Sequence, residues 1–315
     1  MSTKASTREA YGKTLLELGR DNPDIVVLGG DLNKSTMTTL FAAEFPDRFF
    51  DCGVAEQNMM SIAAGLAASG KTVFASTFTV FGTNRPFDQL RISIAQPHLN
   101  VKIVTTHAGI ITGPDGMSAH GIEDLALMCS LPGFTVVVPA DAVETAQAIR
   151  AVAAIEGPCY VRLSRPATPV VCDDGYRFDL GKAATFREGK DVSVLATGIM
   201  VSKALEAAES LAREGIDCRV VNVSTIKPMD EEYVLRCVEE TGALVTAEEH
   251  LKHGGLGSAV SRVLAEKCPV PMAMVAIEDV YSPSGEPEEL LELRGLTAER
   301  IAASVRGVVG RKGVK

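Results

Sequence analysis

One carboxylate stands in a setting where acid–base chemistry is available to it. Glu56 lies in the run Asp51-Cys52-Gly53-Val54-Ala55-Glu56-Gln57-Asn58, a glycine-containing turn, and ten residues from Met59 to Ala68 follow, nearly all small or apolar. That run predicts a helix buried along most of its surface, which would hold Glu56 close to the interior. A carboxylate removed from water is costly without a partner. Glu56 therefore reads either as a structural acid at a helix N-terminus or as a group that shares a proton with something bound.

Other residues able to do chemistry cluster in loops. Phe78 and Phe81 stand three apart in Ser76-Thr77-Phe78-Thr79-Val80-Phe81; Thr106-His107-Ala108-Gly109 leads to Thr112-Gly113-Pro114-Asp115-Gly116; Leu163-Ser164-Arg165 comes later. His250 and His253, beside Glu248 and Glu249, have a spacing that could ligate a metal on a helix. Gly254 and Gly255 come directly after, which favours a surface turn.

These loops need strands to position them. Apolar, β-branched runs at 25–28, 72–75, 101–105 and 135–138 alternate with helical patterns, the signature of a parallel sheet covered on both faces. A second set at 192–196, 218–222, 243–246 and 272–275 alternates with helices at 202–213 and 257–266. The fold class expected is α/β with two domains: a larger parallel-sheet domain over residues 1–170 and a smaller α/β domain over 190–315. The stretch 171–189, which follows Pro166 and Pro169 and holds Cys172-Asp173-Asp174-Gly175 without strong periodicity, is the expected linker. In parallel α/β sheets ligands gather at the carboxyl ends of strands, and the loops after residues 28, 75 and 105 lie there.

Composition excludes several classes. With 31 Lys and Arg against 40 Asp and Glu, the net charge of −9 offers no electrostatic footprint for nucleic acid or an anionic membrane. No apolar run reaches the roughly 20 residues of a membrane span, and Met1 to Thr7 carries no signal-peptide stretch. Seven cysteines with no close pair argue against a disulfide framework. A cytoplasmic protein of 315 residues is expected.

The ordered set formed by Gly53-Val54-Ala55-Glu56-Gln57-Asn58, Phe78-x-x-Phe81, Thr106-His107 with Pro114-Asp115-Gly116, and Leu163-Ser164-Arg165 resembles the carboxyl-terminal half of transketolase. More closely, it is similar to the second subunit of split transketolases, whose halves are separate chains. The resemblance implies a pyrimidine-binding domain followed by a transketolase C-terminal domain, with thiamine diphosphate as cofactor. It gives Glu56 the pyrimidine 1′-nitrogen, which favours the imino form that takes the proton from thiazolium carbon-2. It sets Phe78 and Phe81 against the aminopyrimidine ring, and Asp31 and Leu32 near the cofactor at the junction of two chains. Arg8, Ser35 and Arg165 match positions that hold a sugar phosphate. His107 matches a residue that contacts the donor sugar, and Asp115 one that accepts a hydrogen bond from the hydroxyl beside its carbonyl. His120 stands five residues after Asp115, where many transketolases have a histidine at four, and Asn84 stands where many have tyrosine.

The Mg²⁺ or Ca²⁺ that holds the diphosphate is implied to sit on a partner. In this chain Gly29-Gly30-Asp31 is followed by Leu32 in place of glycine, and no matching asparagine motif comes after it. The resemblance thus implies a diphosphate-binding N-terminal subunit as partner, a heterotetramer of two plus two, and a role in pentose phosphate metabolism. The activity expected is transfer of a two-carbon ketol unit from a ketose phosphate to an aldose phosphate. Three alternatives stay open: the β subunit of a 2-oxoacid dehydrogenase decarboxylase component, which would leave Arg8, Ser35 and Arg165 without a phosphate role; a deoxyxylulose-phosphate synthase fragment, which shares a Glu-Gln motif but usually carries the missing domain in the same chain; and a non-catalytic binding or regulatory subunit.

Overall fold

The apolar runs build two sheets that share one core. The computed structural model describes residues 3–312, so Met1, Ser2 and residues 313–315 lie outside the described residues. The first sheet uses β1 (Ile25–Gly29), β2 (Phe49–Asp51), β3 (Thr72–Ser76), β4 (Val101–Thr105), β5 (Thr135–Val137) and β6 (Cys159–Arg162). All six pair in parallel, in the order β5-β6-β4-β3-β1-β2. Every residue of β1, β4 and β6 is buried, as a sheet covered on both faces requires.

The second sheet holds β7 (Ala184–Arg187), β8 (Val192–Ala196), β9 (Cys218–Asn222), β11 (Leu244–Leu251) and β12 (Met272–Ile277), in the order β12-β11-β8-β9-β7. Only the edge strand β7 runs antiparallel to its neighbour. That strand falls within the stretch expected as linker. Between β9 and β11 the chain returns to the first sheet, where β10 (Thr225–Lys227) pairs antiparallel with β5 and becomes the seventh strand. A hydrophobic cluster runs unbroken from Met59, Val73 and Ile103 to Leu195, Val221 and Leu244, so the two sheets are welded by apolar contact.

Three helices position the loops that bear chemical groups. Helix α1 (Thr7–Asp21) starts at Ser6, whose hydroxyl accepts from the Glu9 N–H at 3.3 Å; Ser6-x-x-Glu9 has the spacing of a capping box. Helix α2 (Glu56–Ala68) buries Glu56, Met59, Met60, Ala63, Ala64 and Ala67. The expectation that it would be buried along most of its surface needs correction: Gln57, Asn58, Ser61, Ile62, Gly65 and Ala68 are exposed. Nothing lies within 4 Å of where a Gly65 side chain would begin, so small residues on this face serve no contact within the chain. Helix α3 (Thr79–Thr83) is a short turn that comes after β3.

The Glu248-Glu249-His250 segment also departs from expectation. It is neither a helix nor a surface turn but the buried end of β11, with exposures of 1%, 3% and 0%. Among the described residues no helix is long and apolar enough to cross a membrane, and no three His, Cys, Asp or Glu side chains are arranged to hold a metal.

Candidate functional site

The loops after β1, β3 and β4 converge at one edge of the first sheet. After β1 the backbone turns through Asp31, which adopts a left-handed φ of 58° and donates its N–H to Asp51 Oδ1 at 3.0 Å. Asp51 also accepts from the Gly53 N–H at 2.9 Å and from Asn33 Nδ2 at 2.6 Å. One carboxylate therefore ties the Asp31–Leu32 loop to the turn that introduces Glu56. Sequence reading passed over Asp51; its placement two residues before a glycine turn was the available signal.

Glu56 opens α2 and is 3% exposed. Both its carboxylate oxygens lie 3.0 Å from Arg85 Nη1. Arg85, also missed, stacks its guanidinium 4.2 Å from the centre of the Phe81 ring, and the Phe81-x-x-x-Arg85 spacing of about one helical turn was its trace in the sequence. From there a row of rings continues inward. Phe78 lies 5.9 Å from Phe81 with 17° between planes, and His107 lies 3.6 Å from Phe78 with 19°. Val54, Ala55, Glu56, Gln57, Asn58 and Arg85 line a cavity of about 560 Å³ at the outer end of this row.

His107 takes a left-handed φ of 59°, which a non-glycine residue holds only when its surroundings impose it. Thr106 Oγ1 lies 2.8 Å from Nδ1, and Thr112 Oγ1 donates to the His107 carbonyl at 2.7 Å. No protein hydrogen bond engages Nε2 among the described residues. Burial first, then Arg8 and Arg165, push the imidazole pKa down to about 3, so the ring is neutral through the physiological range.

This sets a pH signature. The unfolded chain takes up a proton near the ordinary histidine value of about 6.5, whereas the folded chain refuses it until about pH 3. Stability from this residue is complete above pH 6.5 and is lost as pH falls towards 3. At pH 5 the loss is on the order of 2 kcal/mol at 1.36 kcal/mol per pH unit. Thermal melts at pH 7 and pH 5 should therefore show a larger drop for the unaltered chain than for His107→Asn; equal drops would refute the assignment.

Arg8, Ser35 and Arg165 come together, although none is a neighbour in sequence. Arg8 Nε donates to the Arg165 carbonyl at 2.9 Å and Nη1 to the Ser35 carbonyl at 2.6 Å. Arg165 Nη1 donates to the Thr112 carbonyl at 2.5 Å and lies 3.4 Å from Asp115 Oδ1. Each guanidinium keeps further N–H groups for an anion. His120 is set differently from a surface contact. It is 1% exposed, its Nε2 donates to the Gly113 carbonyl at 3.0 Å, and its Nδ1 has no partner. Asn84 is tied to Glu123 at 2.7 Å.

The residues fit the pyrimidine end of thiamine diphosphate: a buried acid at the cavity, two aromatic faces in the row that leads from Arg85, and beside Gly30 a buried Thr77 hydroxyl without a partner. Among the described residues they offer no cluster for a diphosphate-bound cation.

Comparison with known proteins bears on the family and the fold. Residues 3–170 match the family profile "Transketolase, pyrimidine binding domain" and residues 181–301 match "Transketolase, C-terminal domain". A "putative transketolase C-terminal section" from Methanocaldococcus jannaschii is 44% identical over 301 residues, covering 95% of this chain and 94% of that protein. A 6-deoxy-6-sulfo-D-fructose transketolase subunit from a Clostridium species is 43% identical over 305 residues, covering 97% and 95%. A solved structure described as a split gene transketolase, inactive β4 tetramer, superposes with a TM-score of 0.90 at 50% identity, covering 98% of this chain and all of that one. Of the longer rat and human transketolases that it also matches, the chain spans 49%. The chain belongs to the transketolase family, as the counterpart of that family's carboxyl-terminal half.

Proposed function

We propose that this chain is the pyrimidine-binding subunit of a two-chain transketolase, completed by a partner that brings the diphosphate and metal site. The observation that carries this is the pairing of a buried Glu56, at the mouth of a cavity, with an α2 face left bare beside it. Val54, 70% exposed, lines the same cavity, and Phe50 in the edge strand β2 is 47% exposed. The similar structure, an inactive tetramer of one kind of chain, supports inactivity of this chain by itself. A two-plus-two assembly, with Mg²⁺ or Ca²⁺ on the partner, follows from the same reading, and seven free thiols suit a cytoplasmic location.

Bound thiamine diphosphate supplies a carbon nucleophile that accepts and donates the two-carbon unit. The chain's own groups hold and orient. Glu56 keeps a proton at the pyrimidine 1′-nitrogen, while Phe78 and Phe81 give the ring an apolar face. His107 presents neutral Nε2 to the donor hydroxyls. Arg8 and Arg165, with Ser35, neutralise the donor's terminal anion, and Asp115 accepts from a hydroxyl near its carbonyl. His120 acts beneath the loop, on Gly113, more readily than on sugar.

The test is to co-produce the chain with a candidate diphosphate-binding partner, purify the complex, and assay two-carbon transfer from xylulose 5-phosphate to ribose 5-phosphate with thiamine diphosphate and Mg²⁺. Transfer by the mixture and by neither chain alone supports the reading; an inactive, cofactor-loaded complex overturns the sugar-phosphate assignment. The Clostridium relative motivates a second reading, in which the donor's anion is a sulfonate. Assay of a 6-sulfo ketose beside the phosphate separates the two.

Arg85 provides a further check. It occupies the two oxygens that a ring nitrogen would need, so cofactor binding must displace it. Arg85 is half exposed although Glu56 is buried, so water screens the pair from one side, and about 1 kcal/mol is assigned to it. Arg85→Met should accordingly bind the cofactor roughly fivefold more tightly in the complex; weaker binding would put Arg85 in the loaded site as a contact.

A further inference from the structure

The acidic segment at the end of β11 belongs to neither the cofactor cavity nor a metal site, yet it reaches across to the loop that carries the donor-facing groups. Glu249 Oε1 accepts the Ile111 N–H at 2.8 Å, from 138 residues away in sequence. Gly109, with φ 73°, has no side chain because the carboxylate fills that space: a Cβ there would lie 2.0 Å from Glu249 Oε1. The same stretch of β11 is pinned to the first sheet by its backbone. The Glu249 carbonyl accepts from Arg162 Nη2 at 2.9 Å, and Leu251 N–H donates to the Ile122 carbonyl at 2.9 Å. Arg162 in turn donates through Nε to Asp124 at 2.8 Å, and His250 Nε2 accepts from the Leu125 N–H at 3.1 Å.

On its other side the clamped loop meets the donor groups. Thr112 donates to the His107 carbonyl and accepts from Arg165, and Asp115 faces Arg165 at 3.4 Å. The Glu249 contact at Ile111 is directly adjacent to Thr112 in the chain. A shift of the loop backbone at Ile111 therefore moves the Arg165 guanidinium and the His107 backbone together. The contact is chemically expensive for mere packing. A carboxylate 3% exposed is a costly way to satisfy backbone amides where a carbonyl or water would serve, and burial, offset in part by Arg162 and the Ile111 and Ile110 amides, pushes its pKa up to about 7.

We propose that Glu249 is a positioning residue: from the second sheet it clamps the backbone of loop 109–116 and so sets where Arg165, Asp115 and His107 face the donor. This gives the C-terminal domain a part in substrate recognition. The donor readout rests on the two-chain reading above; the loop readout does not.

The experiment compares Glu249→Ala with the near-isosteric Glu249→Gln, which keeps an oxygen acceptor. Amide hydrogen exchange on the isolated chain reads the loop directly. In Glu249→Ala, exchange across residues 109–116 should rise at least tenfold while amides of β8 and β9 stay protected; Glu249→Gln should stay within about threefold of the unaltered chain. In the complex, Glu249→Ala should raise KM for the ketose donor about tenfold, with kcat changed less than threefold and the acceptor KM unchanged. Should Glu249→Ala fail to fold, Glu249→Asp takes its place, because the side chain is shorter by one methylene and draws the carboxylate back from the Ile111 N–H, and the same loop and KM changes are expected. Unchanged loop exchange, or a loosened loop with an unchanged donor KM, overturns the proposal. Loop loosening in a chain whose unaltered complex shows no turnover supports the clamp and counts against the two-chain reading alone.

Discussion

Glu56→Ala is expected to lower kcat of the assembled enzyme roughly 10²–10⁴-fold, the range for losing a positioned proton-transfer group. The side chain is 3% exposed and its carboxylate pairs with the half-exposed Arg85, so its removal takes away a proton-sharing acid and also leaves a small void and an unpaired Arg85. Glu56→Gln sharpens the test. It preserves volume and a hydrogen-bond acceptor but cannot exchange a proton with the pyrimidine nitrogen, so its kcat should fall with that of alanine while its melting curve tracks the unaltered chain. Assays at saturating cofactor separate a chemical defect from a binding one. Activity within threefold of the unaltered complex would leave Glu56 as a helix-terminal acid and favour the regulatory-subunit alternative.

The second large effect concerns the donor's anionic end. Replacing Arg165 with Met should raise KM for a ketose phosphate by roughly 10- to 100-fold, because a hydrogen bond to a charged group contributes about 1.5–3 kcal/mol. Lysine should not restore it. Arg165 commits Nη1 to both the Thr112 carbonyl and Asp115, while Arg8 holds the Arg165 carbonyl, which leaves Nη2 and Nε of Arg165 for an anion; a lysine ammonium in that place has no second nitrogen to offer. The discriminating measurement is the KM ratio between a phosphorylated ketose and its unphosphorylated counterpart. Loss confined to the phosphorylated donor supports an anion contact; equal loss for both would reduce Arg165 to a brace for the 109–116 loop.

Legibility of the site tracked distance along the chain. The strands β1, β3, β4, β8 and β9 were visible because strands buried on both faces must be continuously apolar. The short β2, β6, β7 and β10 were not, since three or four residues register only when all are β-branched or apolar, as Thr135-Val136-Val137 of β5 are. Glu56 stood out through a local contrast, an acid at the head of an apolar helix. Arg85 did not, because an arginine in a loop carries no such contrast until Glu56 and Phe81 are folded against it. The Glu248-Glu249-His250 run misled for the opposite reason: charged residues beside glycines read as solvated, and the Arg162 guanidinium, the Ile111 amide and the N–H groups at Leu256 and Gly257 make their burial tolerable.

The sequence by itself determined the α/β class, the family, and which loops bear chemical groups, because those depend on periodicity and on residue types at short spacing. Tertiary structure alone decided that α2 keeps one face bare, that β10 crosses back to join the first sheet, and that an acid of the second sheet grips a loop of the first. Each of these depends on residues tens to more than a hundred positions apart. Such arrangements are selected by packing and desolvation of the whole fold, and no local pattern encodes them.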